Sequence, residues 1–158
     1  SYIRGYGLHP NDVVILCSKK VSIRHLEFFW SKQEKTNCMI ATYSEIAKKL
    51  NENIDKLVQL PEEKLNEKLD NIPLENIERT KKNHFYPNKG VVKLSTCHSF
   101  KGLECKTVFY VMHKEDTPEL IYTAITRSSE NLVIFDIGNN NKCSTFFVAS
   151  PLIAKTQL

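Results

Sequence analysis

Two short runs hold most of the side chains able to do chemistry in this 158-residue chain. The first lies in VKLSTCHSFKGLE, residues 92–104, where Ser95, Thr96, His98, Ser99, Lys101, Gly102 and Glu104 follow closely on one another. Hydroxyls and backbone amides position phosphates, and a glycine lets a backbone approach a ligand closely. A polar loop with a turn glycine has the same composition, so residue types alone leave both readings open. The second run is Tyr122-Thr123-Ala124-Ile125-Thr126-Arg127-Ser128-Ser129. A helix C-terminus favours Arg through its dipole, which makes Arg127 an ordinary capping residue. Thr126 and Ser128 beside it are equally suited to order a guanidinium for a phosphate. A smaller group, Ser18, Lys19 and Lys20, follows the apolar run VVILC.

Other chemistries find little support. His98 follows Cys97 directly, and adjacent loop residues seldom face each other, so no Cys-His or Ser-His-Asp arrangement is implied. There is no HExxH motif, no paired-carboxylate motif, and no GxxxxGK[ST] to cradle β and γ phosphates. The five glycines are too dispersed for a glycine-rich nucleotide loop. The five cysteines, Cys17, Cys38, Cys97, Cys105 and Cys143, form no CxxC pair. Neither a disulfide framework nor a metal site is expected from them, and a reducing, cytoplasmic setting is the natural reading.

The elements that must position these runs are legible as periodicity. Val13 to Cys17 is a continuous, β-branched run that predicts a strand buried on both faces. Ile23, Leu26, Phe29 and Trp30 then mark one face of a helix capped by Ser22. Residues 38–42 read as a second strand. Residues 44–83 change character: Ser44 is expected to cap a helix carrying Ile46, Ala47, Leu50, Ile54 and Leu57. Pro61 and Pro73 then introduce two shorter helices. Residues 83–90 read as a loop. Strands return at 91–94 and 107–112, a helix opens at Thr117 with Pro118 in its first turn, and 131–137 is the last strand. Strands alternating with helices predict an α/β sandwich with a mostly parallel sheet. In such sheets ligands bind outside the carboxyl ends of strands, where these runs are expected to lie.

Composition sets the outer bounds. The chain is 41% hydrophobic and 25% charged, ordinary for one soluble domain with its own core. No apolar stretch approaches a membrane span, and SYIRGYGLHP has no signal-peptide core. A start without Met reads as a piece of something longer. Membrane, collagen-like and wholly disordered classes are excluded. Twenty-two basic against 18 acidic residues give a net charge of +4, which permits a polyanionic partner without requiring one. Residues 44–83 hold eight basic and nine acidic side chains, so the positive excess lies entirely outside them.

Taken together, VKLSTCHSFKGLE and LIYTAITRSSENLVIF resemble motifs V and VI of superfamily 1 helicases of the UvrD/Rep/RecD type, and DVVILCSKK resembles motif IV. The resemblance covers residues 13–35 and 91–137. It implies a RecA-like α/β fold, a mostly parallel sheet with flanking helices, in which residues 1–158 form a single C-terminal motor domain with a helical insertion at about 44–83. In such motors ATP lies between two RecA-like domains. The first carries the P-loop, the Mg2+ ligands and the catalytic glutamate; the second supplies an arginine finger. By resemblance Arg127 is that finger. Gly102 and Glu104 match positions near the nucleotide, Glu104 accepting from a ribose hydroxyl; Lys19, beside the motif IV position, is grouped with them as a nucleotide contact. Thr96, His98 and Ser99 match positions that touch single-stranded DNA, RNA not being excluded; Lys101 is open to either site and is grouped with them. The isolated chain is expected to lack ATPase activity without its N-terminal P-loop domain.

Departures from the pattern are visible. Ser18 stands where many relatives carry a motif IV arginine, with Lys19 beside it. Only residues 36–90 separate the motif IV block from motif V, a compactness more like the RecD branch or a stripped-down UvrD-like protein. Two other readings are a non-enzymatic nucleic-acid or protein-binding module and a stand-alone enzyme acting on a small phosphorylated molecule.

Overall fold

The computed structural model describes residues 5, 7–70, 72–85 and 89–139. Strand β1 (Val13–Cys17) is buried along its whole length, as a continuous apolar run must be when sheet neighbours and both faces are covered. It lies at the centre of a five-stranded sheet and pairs in parallel with β3 (Val92–Thr96) on one side and β4 (Cys105–Met112) on the other. Strand β2 (Thr36–Cys38) extends the sheet beyond β3, and β5 (Ser128–Asp136) extends it beyond β4. Every pairing is parallel, giving the order β2-β3-β1-β4-β5. With helices on both faces, this is the expected α/β class, consistent with a RecA-like architecture.

Alternate residues of β1 feed two cores, as the period of two in a strand requires. Val14 and Leu16 join Phe100, Val108, Tyr110, Met112, Ile121 and Ala124. Val13 and Ile15 join Ile23, Ile40, Leu94 and Phe109, with Leu26 and Trp30 packed against them. The first core is closed by α6 (Pro118–Ile125) and the second by α1 (Lys20–Trp30).

Several boundaries differ from expectation for local reasons. Ser22 does not cap α1: the N-cap is Lys19, and the Ser22 hydroxyl lies 3.0 Å from His113 Nε2. The second strand lies earlier than expected, at Thr36–Cys38, and residues 39–42 are not part of it. Met39 makes one more bond to the Leu94 carbonyl, at 3.0 Å. The chain then turns into a capping box at Thr42, whose amide donates to the Glu45 carboxylate at 2.8 Å. That box opens α2 (Tyr43–Leu50) and displaces Ser44 from the capping role. The expected long helix stops at Asn51 (φ 54°), and Asn53 caps a separate α3 (Ile54–Val58). Pro61 and Pro73 do introduce α4 (Glu62–Leu69) and α5 (Leu74–Asn83). Asn83 closes α5 rather than opening the loop, and residues 86–88 of that loop lie outside the described residues.

Helices α2 to α5 share a core of their own, in which Ala41, Tyr43, Ile46, Leu57, Leu65 and Leu69 pack with Val21 and Phe28 of α1. Helix α5 is clasped to α1 by Lys20, whose ammonium donates to both oxygens of the buried Glu78 at 3.0 and 2.8 Å. Among the described residues no helix is long and apolar enough to cross a membrane.

Candidate functional site

Strands β3 and β4 run parallel with β1 between them, so the connection over residues 97–104 must travel from the carboxyl edge of the sheet to its amino edge. The first chemistry-bearing run is therefore split. Thr96, His98 and Ser99 stay at the carboxyl edge, Lys101 and Gly102 close the turn that follows, where the Lys101 amide donates to the His98 carbonyl at 3.3 Å, and Glu104 reaches the amino edge, a strand length or about 16 Å away. Arg127 immediately precedes β5 and also lies at the amino edge. The expectation that the run 95–104 follows its strand holds for Thr96, His98 and Ser99 and fails for Glu104, because a parallel crossover has to end where the next strand begins; Arg127 lies where it was expected, between a helix end and a strand.

At the carboxyl edge, Thr96 is buried and its hydroxyl accepts from the Ser99 amide at 3.2 Å. The Phe100 amide donates to the Thr96 carbonyl at 3.1 Å, closing the turn. Phe100 anchors the turn from below, its ring edge-on to Phe85 at 6.3 Å. Thr96 thus builds the turn, and His98 is its exposed side chain. Lys19 stands on this same edge, ion-paired with Glu115 at 3.3 Å. That placement separates it from Gly102 and Glu104, with which the sequence grouped it. Beside it the Ser18 hydroxyl is buried, with no hydrogen-bond partner among the described residues.

A network unanticipated in the sequence supports this edge. Tyr110 donates to Asp116 Oδ2 at 2.5 Å and the His113 amide donates to the same oxygen at 2.9 Å. Asn139 donates to the His113 and Asp116 carbonyls at 2.8 and 3.0 Å. Burial, then the Asp116 carboxylate, push the Tyr110 phenol well above its ordinary value. Burial likewise pushes the Cys17 and Cys97 thiols up to about 12, so both are inert packing groups.

On the way to the amino edge, Gly102 takes φ 85°, a left-handed turn open to glycine at no steric cost. The turn aims the Leu103 carbonyl at Arg127, whose Nη1 donates to it at 3.4 Å. Arg127 Nη2 donates to the Thr126 hydroxyl at 3.1 Å, whereas Nε is buried without a partner among the described residues. The Arg127 carbonyl accepts from the Cys105 amide at 2.9 Å. Just beyond, Cys105 pairs with Ser128 but Thr107 pairs with Asn131, an extra residue in β5. Such bulges bend a strand and re-aim the side chains next to them.

Glu104 lines a cleft of about 190 Å³ together with Asn11, Asp12, Lys93, Cys105 and Lys106. Its rim is tied by the Lys106–Asp12 ion pair at 3.2 Å. Its floor is the buried Lys93, whose ammonium donates to the Asn11 carbonyl and lies 3.9 Å from Cys105 Sγ. Sequence reasoning missed Lys93 as a site residue, although a single cation inside the apolar strand VVKLS is itself a signal. Among the described residues no group of three or more His, Cys, Asp or Glu could hold a metal ion.

Residues 92–135 match the sequence profile of the UvrD-like helicase C-terminal domain. The matched stretch runs from β3 to β5 and contains Lys93, Thr96, His98, Ser99, Gly102, Glu104 and Arg127, while Asn11, Asp12, Ser18, Lys19, Phe85 and Asn139 lie outside it. No curated protein matches the chain.

Proposed function

We propose that this chain, whose residues 92–135 match the UvrD-like helicase C-terminal domain, works as the second RecA-like lobe of a superfamily 1 ATP-dependent DNA helicase. The observation that carries the proposal is the division of the matched residues between two edges of one sheet, joined by the single crossover of residues 97–104. A motor lobe must touch a nucleotide and a nucleic-acid strand at once, and a segment that reaches both edges links them mechanically.

In this reading the amino edge faces ATP. Arg127 offsets charge on the phosphoryl group as it transfers, an effect of order 10³ to 10⁵ in rate where arginine fingers act in other NTPases. Glu104 accepts from a ribose hydroxyl, and the bare Cα of Gly102 keeps the turn close to the nucleotide. Mg2+ and the P-loop belong to an N-terminal RecA-like lobe of the same protein. The carboxyl edge faces single-stranded DNA, with His98, Ser99 and Lys101 toward the backbone and Thr96 shaping their turn. Lys19, assigned to the nucleotide by sequence, belongs to this second face.

The test is Arg127→Ala in the protein joined to its P-loop lobe. Nucleic-acid-stimulated ATP turnover is expected to fall by orders of magnitude while ATP binding is largely kept. Near-normal turnover would overturn the motor reading in favour of a binding module. The isolated chain is expected to have negligible ATPase activity.

A further inference from the structure

Arg127 is placed with care but used sparingly. A guanidinium has five N–H donors. Here Nη2 makes a bond of ordinary length to Thr126 Oγ1, at 3.1 Å. The contact from Nη1 to the Leu103 carbonyl is stretched to 3.4 Å, and buried Nε has no partner among the described residues. Buried donors are nearly always satisfied, so an orphan of this kind asks for an explanation.

The Thr126 hydroxyl is itself fixed. Thr126 is the C-cap of α6, and its Oγ1 donates to the Tyr122 carbonyl at 2.8 Å, one turn back. A hydroxyl has one hydrogen; with that hydrogen committed to the helix, only its lone pairs face Arg127. The acceptor for the guanidinium is therefore set by the end of α6 rather than by a freely turning rotor. Ser128 takes no part in this, because its hydroxyl donates to the Asn131 carbonyl at 2.6 Å, in the bulge.

We propose that Thr126 is a positioning residue for the finger, holding Arg127 from one side so that the second N–H of each terminal nitrogen stays free for an incoming phosphate. The inference rests on the motor reading above. It makes the hydroxyl of Thr126, rather than its bulk, the feature that matters. Misaiming a group that must meet a phosphoryl oxygen costs about 10²-fold for a displacement near 1 Å.

The experiment compares Thr126→Val, Thr126→Ser and Arg127→Ala in the protein joined to its P-loop lobe, by steady-state ATP turnover with saturating single-stranded oligonucleotide. Thr126→Val keeps the shape and removes the hydroxyl; kcat is expected to fall about 10- to 100-fold with KM for ATP little changed. Thr126→Ser is expected to retain most of the turnover. Should Thr126→Val fail to fold, Thr126→Ala carries the same expectation. Wild-type kcat in Thr126→Val, alongside a collapsed Arg127→Ala, overturns the role of Thr126 and leaves the motor reading intact. Equal losses in Thr126→Ser and Thr126→Val also overturn it, since the hydroxyl would then not be the cause. Normal turnover in Arg127→Ala removes both readings together.

Discussion

Arg127 holds Glu104 from both sides. Its guanidinium donates to the carbonyl of Leu103 and its own carbonyl accepts from the amide of Cys105, so the residues flanking the carboxylate are both tied to one arginine. The two charged groups proposed to meet a nucleotide are thereby a single unit, although they come from different ends of the α/β repeat. Helix α6 fixes one half of the unit and the crossover from β3 fixes the other. A shift of the crossover at the carboxyl edge, where His98 is exposed, has a direct covalent route to this pair. The buried Phe100 sits between the two ends and gives the segment a fixed anchor.

Gly102→Ala tests how much the turn contributes. A side chain at this position meets no atom within 4 Å, so the only penalty is the left-handed backbone at φ 85°. A cost of about 1 kcal/mol is expected, read as a lower urea midpoint. Asn tolerates this region better than Ala, so Gly102→Asn is expected to lose less. Equal losses would show that something other than backbone strain is at stake.

The nucleic-acid edge makes a separate prediction. Fluorescence anisotropy with a labelled single-stranded oligonucleotide should show weaker binding for His98→Ala and for Lys19→Ala. A cation that meets one phosphate adds about 0.7 to the slope of log affinity against log salt for single strands. Lys19→Ala should therefore flatten that slope, while Arg127→Ala, at the other edge, should leave it unchanged. A change of slope in Arg127→Ala but not in Lys19→Ala would reverse the assignment of the two edges.

The strands and the α/β class were legible because β1 and β4 carry short β-branched or aromatic apolar runs that alternate with helical periodicity. Pro118 behind Thr117 and the prolines at 61 and 73 marked helix starts through simple backbone constraints. The split of the site was not legible. Spacing along VKLSTCHSFKGLE places Thr96 and Glu104 near each other, and only the insertion of β1 between β3 and β4 sends them to opposite edges. The same topology moves Lys19 away from Glu104. Ser22 and Ser44 failed as caps because Ser22 meets His113 and Thr42 has Glu45 in reach. Such long-range or competing partners leave no trace in periodicity. The Tyr110–Asp116–Asn139 network brings together strand, loop and post-strand residues, and no single window of sequence contains it.

Cysteine reactivity follows from burial. Cys17, Cys38, Cys97 and Cys105 are all buried free thiols. Desolvation raises each of them, Cys17 and Cys97 to about 12 and Cys38 to about 11, and Cys105 in the same direction despite the opposing Lys93 ammonium. Only thiolate alkylates readily. Iodoacetamide at pH 8 with peptide mapping should leave these four largely unmodified in the folded chain and modify them in urea. Rapid native labelling of Cys97 would contradict the packing of the turn beneath His98.

Two carboxylates on one cleft should respond to acid with opposite signs. Glu27 of α1 and Glu45 of α2 both line a cleft of about 450 Å³ that also borders β2 and α5. Burial raises the pKa of Glu27, with Lys81 only partly opposing it. Burial also works against Glu45, but hydrogen bonds from Lys81, at 2.6 Å, and from the Thr42 amide outweigh it and hold that carboxyl below its ordinary value. A raised carboxyl contributes stability while protonated and loses it as pH rises through its folded pKa; a depressed one contributes above its unfolded value, near 4.5, and loses it as pH falls. Glu45→Gln should therefore destabilise the chain at pH 7, with the deficit shrinking on acidification below about pH 4.5. Gln keeps the capping-box geometry, so the change isolates charge. Glu27→Gln should stabilise the chain at pH 7, and its advantage should shrink toward low pH. Denaturant midpoints at several pH values between neutral and acid would read both, and two variants shifting in the same direction at pH 7 would contradict the opposed environments of these side chains.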